Sequence, residues 1–127
     1  MVHAQDYETD FRELQKQFEE RLRTTSNNLR TYMEMYPHTP YSDEVLLMDG
    51  VLQAEKKKYK QAIRTFGKVK KGNLSRDTEP MLYFYWGYAY IQQQQYDKAL
   101  AQLMKLKKKE TLYSAHANYY AGYCYYC

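Results

Sequence analysis

The sequence predicts an all-α fold of about seven helices, laid down as antiparallel hairpins, on three observations. Apolar residues recur at steps of three and four along almost the whole chain, the spacing of one helix face. Only 5 Gly and 3 Pro occur among 127 residues, which disfavours a turn-rich β-sandwich and a disordered tail alike. The segments between periodic stretches are short, and short connections place neighbouring helices antiparallel.

The elements follow in order. Residues 1 to 5 read as an irregular end. Tyr7, Phe11, Leu14, Phe18 and Leu22 form the stripe of a first helix, and Thr25 or Ser26 is placed to cap the next. Leu29, Tyr32, Met33 and Tyr36 mark that second helix, which must end before Pro37. Thr39 and Pro40 read as the cap and first position of a third helix carrying Val45, Leu46, Met48 and Leu52. Lys56 to Lys58 make a turn, and Tyr59, Ala62, Ile63, Phe66 and Val69 mark a fourth helix that Gly72-Asn73 stops. Asp77 or Thr78 opens a fifth with Pro80 in its first turn, a sixth runs from Tyr96 to Lys108, and Thr111 caps a seventh.

The hydrophobic share is 44%, enough for a core, and 16 residues are tyrosine, whose apolar ring and polar tip suit half-buried and binding sites. The formal charge of +4 is too mild to imply nucleic acid, and two lysine clusters, 68–71 and 105–109, fall at helix C-termini, where cations complement the helix dipole. No apolar run approaches the ~18 residues of a membrane span. Val2-His3-Ala4 before Gln5 is similar to the small-x-small end of a cleaved leader, and equally to an added vector sequence.

An internal repeat runs through the pattern. Gly50, Gly87 and Gly122 occupy matching places, 37 and 35 residues apart. Tyr59 and Ala62 lie nine and twelve residues after Gly50, and Tyr96 and Ala99 lie nine and twelve after Gly87. A large apolar residue, Phe66 or Leu103, stands four beyond each alanine. Glycine and alanine at these places let two helices approach closely, which predicts that Gly50, Gly87 and Gly122 each face a neighbouring helix.

Tyr83-x-x-Trp86-Gly87-x-x-Tyr90 followed by Ala99-x-x-x-Leu103 resembles the tetratricopeptide repeat, whose pattern is W-x2-L-G-x2-Y and then A-x3-F. The first copy departs from it, with Asp49 before Gly50 and Gln53 in place of the tyrosine. The resemblance divides the chain into a divergent helical pair at 7–37, repeat one at 43–76, repeat two at 80–113 and a repeat cut short at 115–127. It implies a right-handed α-solenoid, and it implies that the chain is an N-terminal piece of a longer array. Residues 36 to 44 are also similar to linkers in bacterial cell-envelope members of the family, such as outer-membrane assembly lipoproteins and Tol-Pal-associated coordinators. That likeness places the expectation in the periplasm or cell envelope ahead of the cytoplasm.

The family binds protein or peptide ligands along the first helix of each pair, at its second, fifth, ninth and twelfth positions. Carried over, these are Glu44, Leu47, Val51 and Ala54, then Met81, Phe84, Tyr88 and Ile91, then His116, Tyr119, Tyr123 and Tyr126. Phe84 and Tyr88 stand where chaperone-binding members clamp a terminal carboxylate with lysine and asparagine, so that mode is not implied. The expectation is a non-enzymatic scaffold with an aromatic groove, the alternative a structural spacer in a larger multi-repeat protein. The same aromatics could instead serve only to pack neighbouring helices.

No catalytic residue, cofactor, metal or small-molecule substrate is expected. Cys124-x-x-Cys127 lies inside a predicted helix, where Cys124 matches Ala89 as a small packing residue. His3, His38 and His116 share no face, and no nucleophile stands beside a base. The uncovered last helix predicts self-association through that end.

Overall fold

The computed structural model describes residues 6–107 and 114–126. These form seven helices: α1 (Asp6–Glu19), α2 (Thr25–Met35), α3 (Ser42–Glu55), α4 (Tyr59–Lys68), α5 (Glu79–Gln92), α6 (Tyr96–Lys107) and α7 (Ser114–Tyr125). No strand occurs among the described residues. None of their helices is long and apolar enough to cross a membrane.

Each helix packs against its neighbours in sequence, and α3 also meets α5 while α5 meets α7. One apolar core runs through these contacts, from Phe11, Leu14 and Phe18 through Leu29, Val45, Val51 and Phe66 to Leu82, Leu103, Leu106 and Ala117. The stripes expected at three-and-four spacing are the ones buried. Tyr7, Met33, Leu46, Tyr59, Ile63 and Val69 are half-buried at the edges of those stripes, and Leu22, which falls past the end of α1, is exposed.

The three helical pairs turn in the same way. Arg21 N–H donates to Phe18 O at 3.0 Å and Leu22 N–H to Gln17 O at 3.1 Å. Lys57 and Lys58 repeat this on Ala54 O and Gln53 O at 2.9 Å each, and Gln94 and Gln95 on Ile91 O and Tyr90 O, again at 2.9 Å. The central residue is left-handed each time, with φ of 50° at Arg21, 64° at Lys57 and 59° at Gln94. This paired closure of a helix C-terminus is one that glycine usually serves. The left-handed positions recur at steps of 36 and 37 residues, 21 to 57 to 94, so the divergent first pair shares the turn of the other two. Glycine would shed the Cβ clash, and its extra backbone entropy offsets only part of that gain. Gln94→Gly is therefore expected to stabilise by about 0.5–1 kcal/mol, read as a raised thermal midpoint.

Several boundaries differ from expectation. Neither Thr25 nor Ser26 caps α2: Thr24 holds the cap position, and the buried Thr25 hydroxyl donates to Leu22 O at 2.7 Å. The third helix starts at Ser42, because Thr39 Oγ1 accepts from Tyr41 N–H at 3.0 Å and Ser42 Oγ from Thr39 N–H at 2.9 Å, which holds 39–42 as a turn. Helix α4 ends at Lys68, ahead of Gly72-Asn73, with Val69 extended. The cause lies across the hairpin, where Asp43 accepts from Lys70 N–H at 2.9 Å and from Asn73 Nδ2 at 2.8 Å. The proposed cap Thr111 lies outside the described residues.

Gly50 and Gly87 are where two helices touch. A Cβ on Gly50 would stand 2.5 Å from Phe66 Cε1, and one on Gly87 2.8 Å from Leu103 Cγ. Phe66 and Leu103 each lie 16 residues beyond their glycine and are fully buried. Gly122 departs from the expectation: among the described residues, nothing outside the backbone of its own helix lies within 4 Å of its Cβ position. Trp86 sits behind Gly87, its ring 6.4 Å from Phe66 and 6.2 Å from Tyr90, and its indole N–H is buried without an acceptor.

Burial raises the Asp49 pKa above the ordinary carboxylate value, against the pull of Arg30 and Lys56. The folded chain therefore holds that proton more tightly than the unfolded one. The associated stability is present in acid and is lost as pH rises through the folded pKa. Asp49→Asn removes the buried charge and keeps an acceptor for Gln53 Nε2, 3.2 Å away. Its thermal midpoint is expected to exceed the parent's at pH 7, and the gap to close in acid.

Candidate functional site

The second helical pair and α7 carry the expected surface. From α5, Phe84 and Tyr88 are half-buried, and their rings meet those of α7: Phe84 lies 6.0 Å from both His116 and Tyr120, and Tyr88 5.9 Å from Tyr120. Such edge-to-face contacts are favourable arrangements of aromatic rings. Met81 is also half-buried, while Ile91 is buried in the core, so it does not face a groove. On α7, Tyr119 is 71% exposed, with His116 and Tyr123 exposed as well, and Tyr126, just past the helix end, is 93% exposed. Tyr123 nonetheless touches Tyr96, ring to ring, at 5.9 Å.

The positions carried over to α3 fare differently. Glu44, Leu47, Val51 and Ala54 are buried, because α2, α4 and α5 surround α3. Glu44 has a structural partner set: its Oε1 accepts from Ser75 N–H and from Thr78 Oγ1, both at 2.8 Å. It holds the loop that delivers α5.

Two rings repeat the same contact one pair apart. Tyr59, which opens α4, meets Tyr88 edge-on at 6.1 Å, and Tyr96, which opens α6, meets Tyr123. Tyr59 and Tyr96 are the residues nine beyond Gly50 and Gly87, so the repeat spacing carried a signal for them.

Between these contacts the surface is concave. A cavity of about 490 Å³ is lined by Ala54, Glu55, Lys57 and Tyr59 around the α3–α4 turn and by Phe84, Tyr85, Tyr88 and Tyr120 from α5 and α7. That volume is within the range of small-ligand pockets. Burial raises the Tyr88 pKa, as does its hydrogen bond with Tyr59, while the nearby Lys57 ammonium pulls the other way. Burial also raises the Tyr120 pKa. Both phenols therefore stay protonated at neutral pH and remain hydrogen-bond donors. A second cavity of about 430 Å³ lies at the following turn, lined by Gln94, Gln95, Tyr96, Asp97, Lys98 and Cys124.

Sequence reasoning did not single out Glu55, read Lys57 only as part of a turn, and did not include Tyr85 or Tyr120 among the groove residues. Cys124 is buried, as a packing position requires, and Cys127 lies outside the described residues. No family model matches the chain, and no curated protein or solved structure is similar to it at a significant level.

Proposed function

We propose that the chain is a right-handed stack of tetratricopeptide-like hairpins, and that it acts as a non-enzymatic scaffold binding a protein or peptide on the aromatic face of α5 and α7. The observation that carries the binding reading is the aromatic cavity beside Phe84 and Tyr88, continuous in sequence with the exposed tyrosines of α7. The stacking reading draws on the three like turns at steps of 36 and 37 residues and on the two glycine notches, each filled from 16 residues on. Exposed aromatic rings are unusual on a surface that meets only water, and they dominate the energetics of protein interfaces.

The test is a display library of random peptides panned against the whole chain. Tyr88→Ser and Tyr119→Ser are run as parallel baits, with thermal midpoints measured alongside. Binding is supported by peptides that the parent retains and a well-folded variant releases. A library that yields no such peptide overturns it.

The spacer reading is favoured by one observation: Phe84, Tyr88 and Tyr123 already contact rings of neighbouring helices. It predicts that Tyr88→Ser lowers the midpoint and that no bait enriches any peptide.

A further inference from the structure

The cavity between the α3–α4 turn and helices α5 and α7 has a definite chemistry, and it deepens the binding reading above. Its walls are the five rings of Tyr59, Phe84, Tyr85, Tyr88 and Tyr120. Neighbouring rings meet at 5.3 to 6.5 Å between centroids, mostly edge to face, so the wall presents both ring edges and ring faces. An entering aromatic ring finds both kinds of partner there, at the separations aromatic pairs prefer.

The charged residues at the rim decide the second half of the ligand. A wall of tyrosines beside a carboxylate would ordinarily suit a cation, through ring quadrupole and charge together. Here Glu55 is already taken: Arg21 Nε meets Glu55 Oε1 at 2.9 Å, and the same guanidinium lies over the Phe18 ring at 3.9 Å. The Lys57 ammonium makes no hydrogen bond or ion pair among the described residues, so Glu55, its partner Arg21 and Lys57 together carry one positive charge in excess. Lys56 and Lys58, exposed on either side, add to it. Lys57 is also fixed at its Cα. Its left-handed backbone is closed by its own N–H on Ala54 O and by Lys58 N–H on Gln53 O, which starts its side chain from a set position beside Tyr88.

We infer that this cavity receives the ring of an aromatic residue in a bound peptide, with an adjacent acidic side chain paired to Lys57. The ring supplies buried apolar area, and the phenol hydroxyl of Tyr120, protonated at neutral pH, offers a donor to the peptide backbone or to the acid. The carboxylate completes a pair that the folded chain leaves half made.

The probe is an end-blocked, fluorescein-labelled hexapeptide, Gly-Ser-Phe-Glu-Gly-Ser, measured by anisotropy against the whole chain. Companions replace its Phe with Ala or its Glu with Lys. The parent is expected to bind the Phe-Glu peptide roughly tenfold more tightly than the Phe-Lys one, since a reversed charge turns an attraction into a repulsion of similar size. Lys57→Glu is expected to invert that order, and raised salt to narrow the gap in both proteins. Replacing Phe by Ala, or Tyr88 by Ser, is expected to abolish binding, while Tyr88→Phe retains most of it. Lys57 is exposed, so Lys57→Glu leaves the core untouched, and an unchanged thermal midpoint confirms this.

Tighter binding of the Phe-Lys peptide by the parent overturns the inference in favour of a cation site. Equal binding of both peptides overturns the role of Lys57. Library peptides that bind the parent and compete with none of these probes overturn this subsite while leaving the scaffold reading standing. A library with no binders at all overturns both.

Discussion

Gly50→Ala and Gly87→Ala lower the thermal midpoint, whereas Gly122→Ala raises it. Alanine ordinarily improves a helix interior by roughly 0.5–1 kcal/mol relative to glycine. At Gly122 nothing lies within 4 Å of the added methyl, so that gain appears undiminished. At Gly50 the methyl would stand 2.5 Å from Phe66 Cε1 and 2.8 Å from Cδ1, and Phe66 is fully buried with no space to retreat. At Gly87 it would meet Leu103 Cγ at 2.8 Å and the Ala99 carbonyl oxygen at 3.3 Å, and the backbone atom cannot swing aside. Overpacking of this kind costs about 1–3 kcal/mol, so it outweighs the propensity gain. Gly87→Leu extends the clash and is expected to cost about 3 kcal/mol or more, enough to leave a marginal fold largely open. Calorimetry of the three alanine variants reads the result, and the same sign at all three glycines would remove the notch as the organising contact. A double-mutant cycle sharpens it. Phe66→Leu shrinks the ring that the new methyl strikes, so Gly50→Ala with Phe66→Leu is expected to be less damaging than the two separate losses added, by about 0.5–3 kcal/mol.

Glu44→Ala is expected to destabilise by about 2–4 kcal/mol, a large effect for a polar residue. Glu44 is 7% exposed, and one of its oxygens takes both the Ser75 N–H and the Thr78 hydroxyl at 2.8 Å. Truncation takes the charged acceptor from both part-buried hydrogen bonds and releases the loop that fixes where α5 begins. Glu44→Gln keeps an acceptor and loses only the charge, so it is expected to fall between the two. Urea melts give the magnitudes, and amide hydrogen exchange gives the location: faster exchange at Ser75 is expected in Glu44→Ala. An effect below about 0.5 kcal/mol would show that the loop stands without this carboxylate.

The helices were legible because burial follows the three-and-four stripe so closely, and the notches were legible because an alanine and a large apolar residue stood at fixed distances beyond two of the glycines. Gly122 matched the other two in spacing alone, without that alanine and large apolar residue, and no notch forms at it among the described residues. The turns were harder to see. Arg21, Lys57 and Gln94 occupy left-handed positions without being glycine, so composition gives no hint of them, and only the backbone shows that the first pair turns like the others. The end of α4 was misread for a related reason. The signal at Gly72-Asn73 is local, whereas the strand-like bend at Val69 is imposed from Asp43, 27 residues before Lys70. The site was half visible. Phe84 and Tyr88 were reached through the resemblance to the tetratricopeptide repeat, but the cavity beside them needs the 54–59 turn brought against α5 and α7. Lys57 acquires meaning only when Glu55 is found committed to Arg21.

Trp86 is the one tryptophan in a chain of 16 tyrosines, and it lies 6.2 Å from Tyr90 at the joint between the second and third hairpin layers. Light absorbed by the phenols can pass to this indole, from sequence neighbours in any state and from distant tyrosines only when folding brings them near. Excitation near the tyrosine band therefore yields a larger share of tyrosine emission from the open molecule than from the folded one. The protein thus carries its own optical gauge of unfolding, with no dye attached.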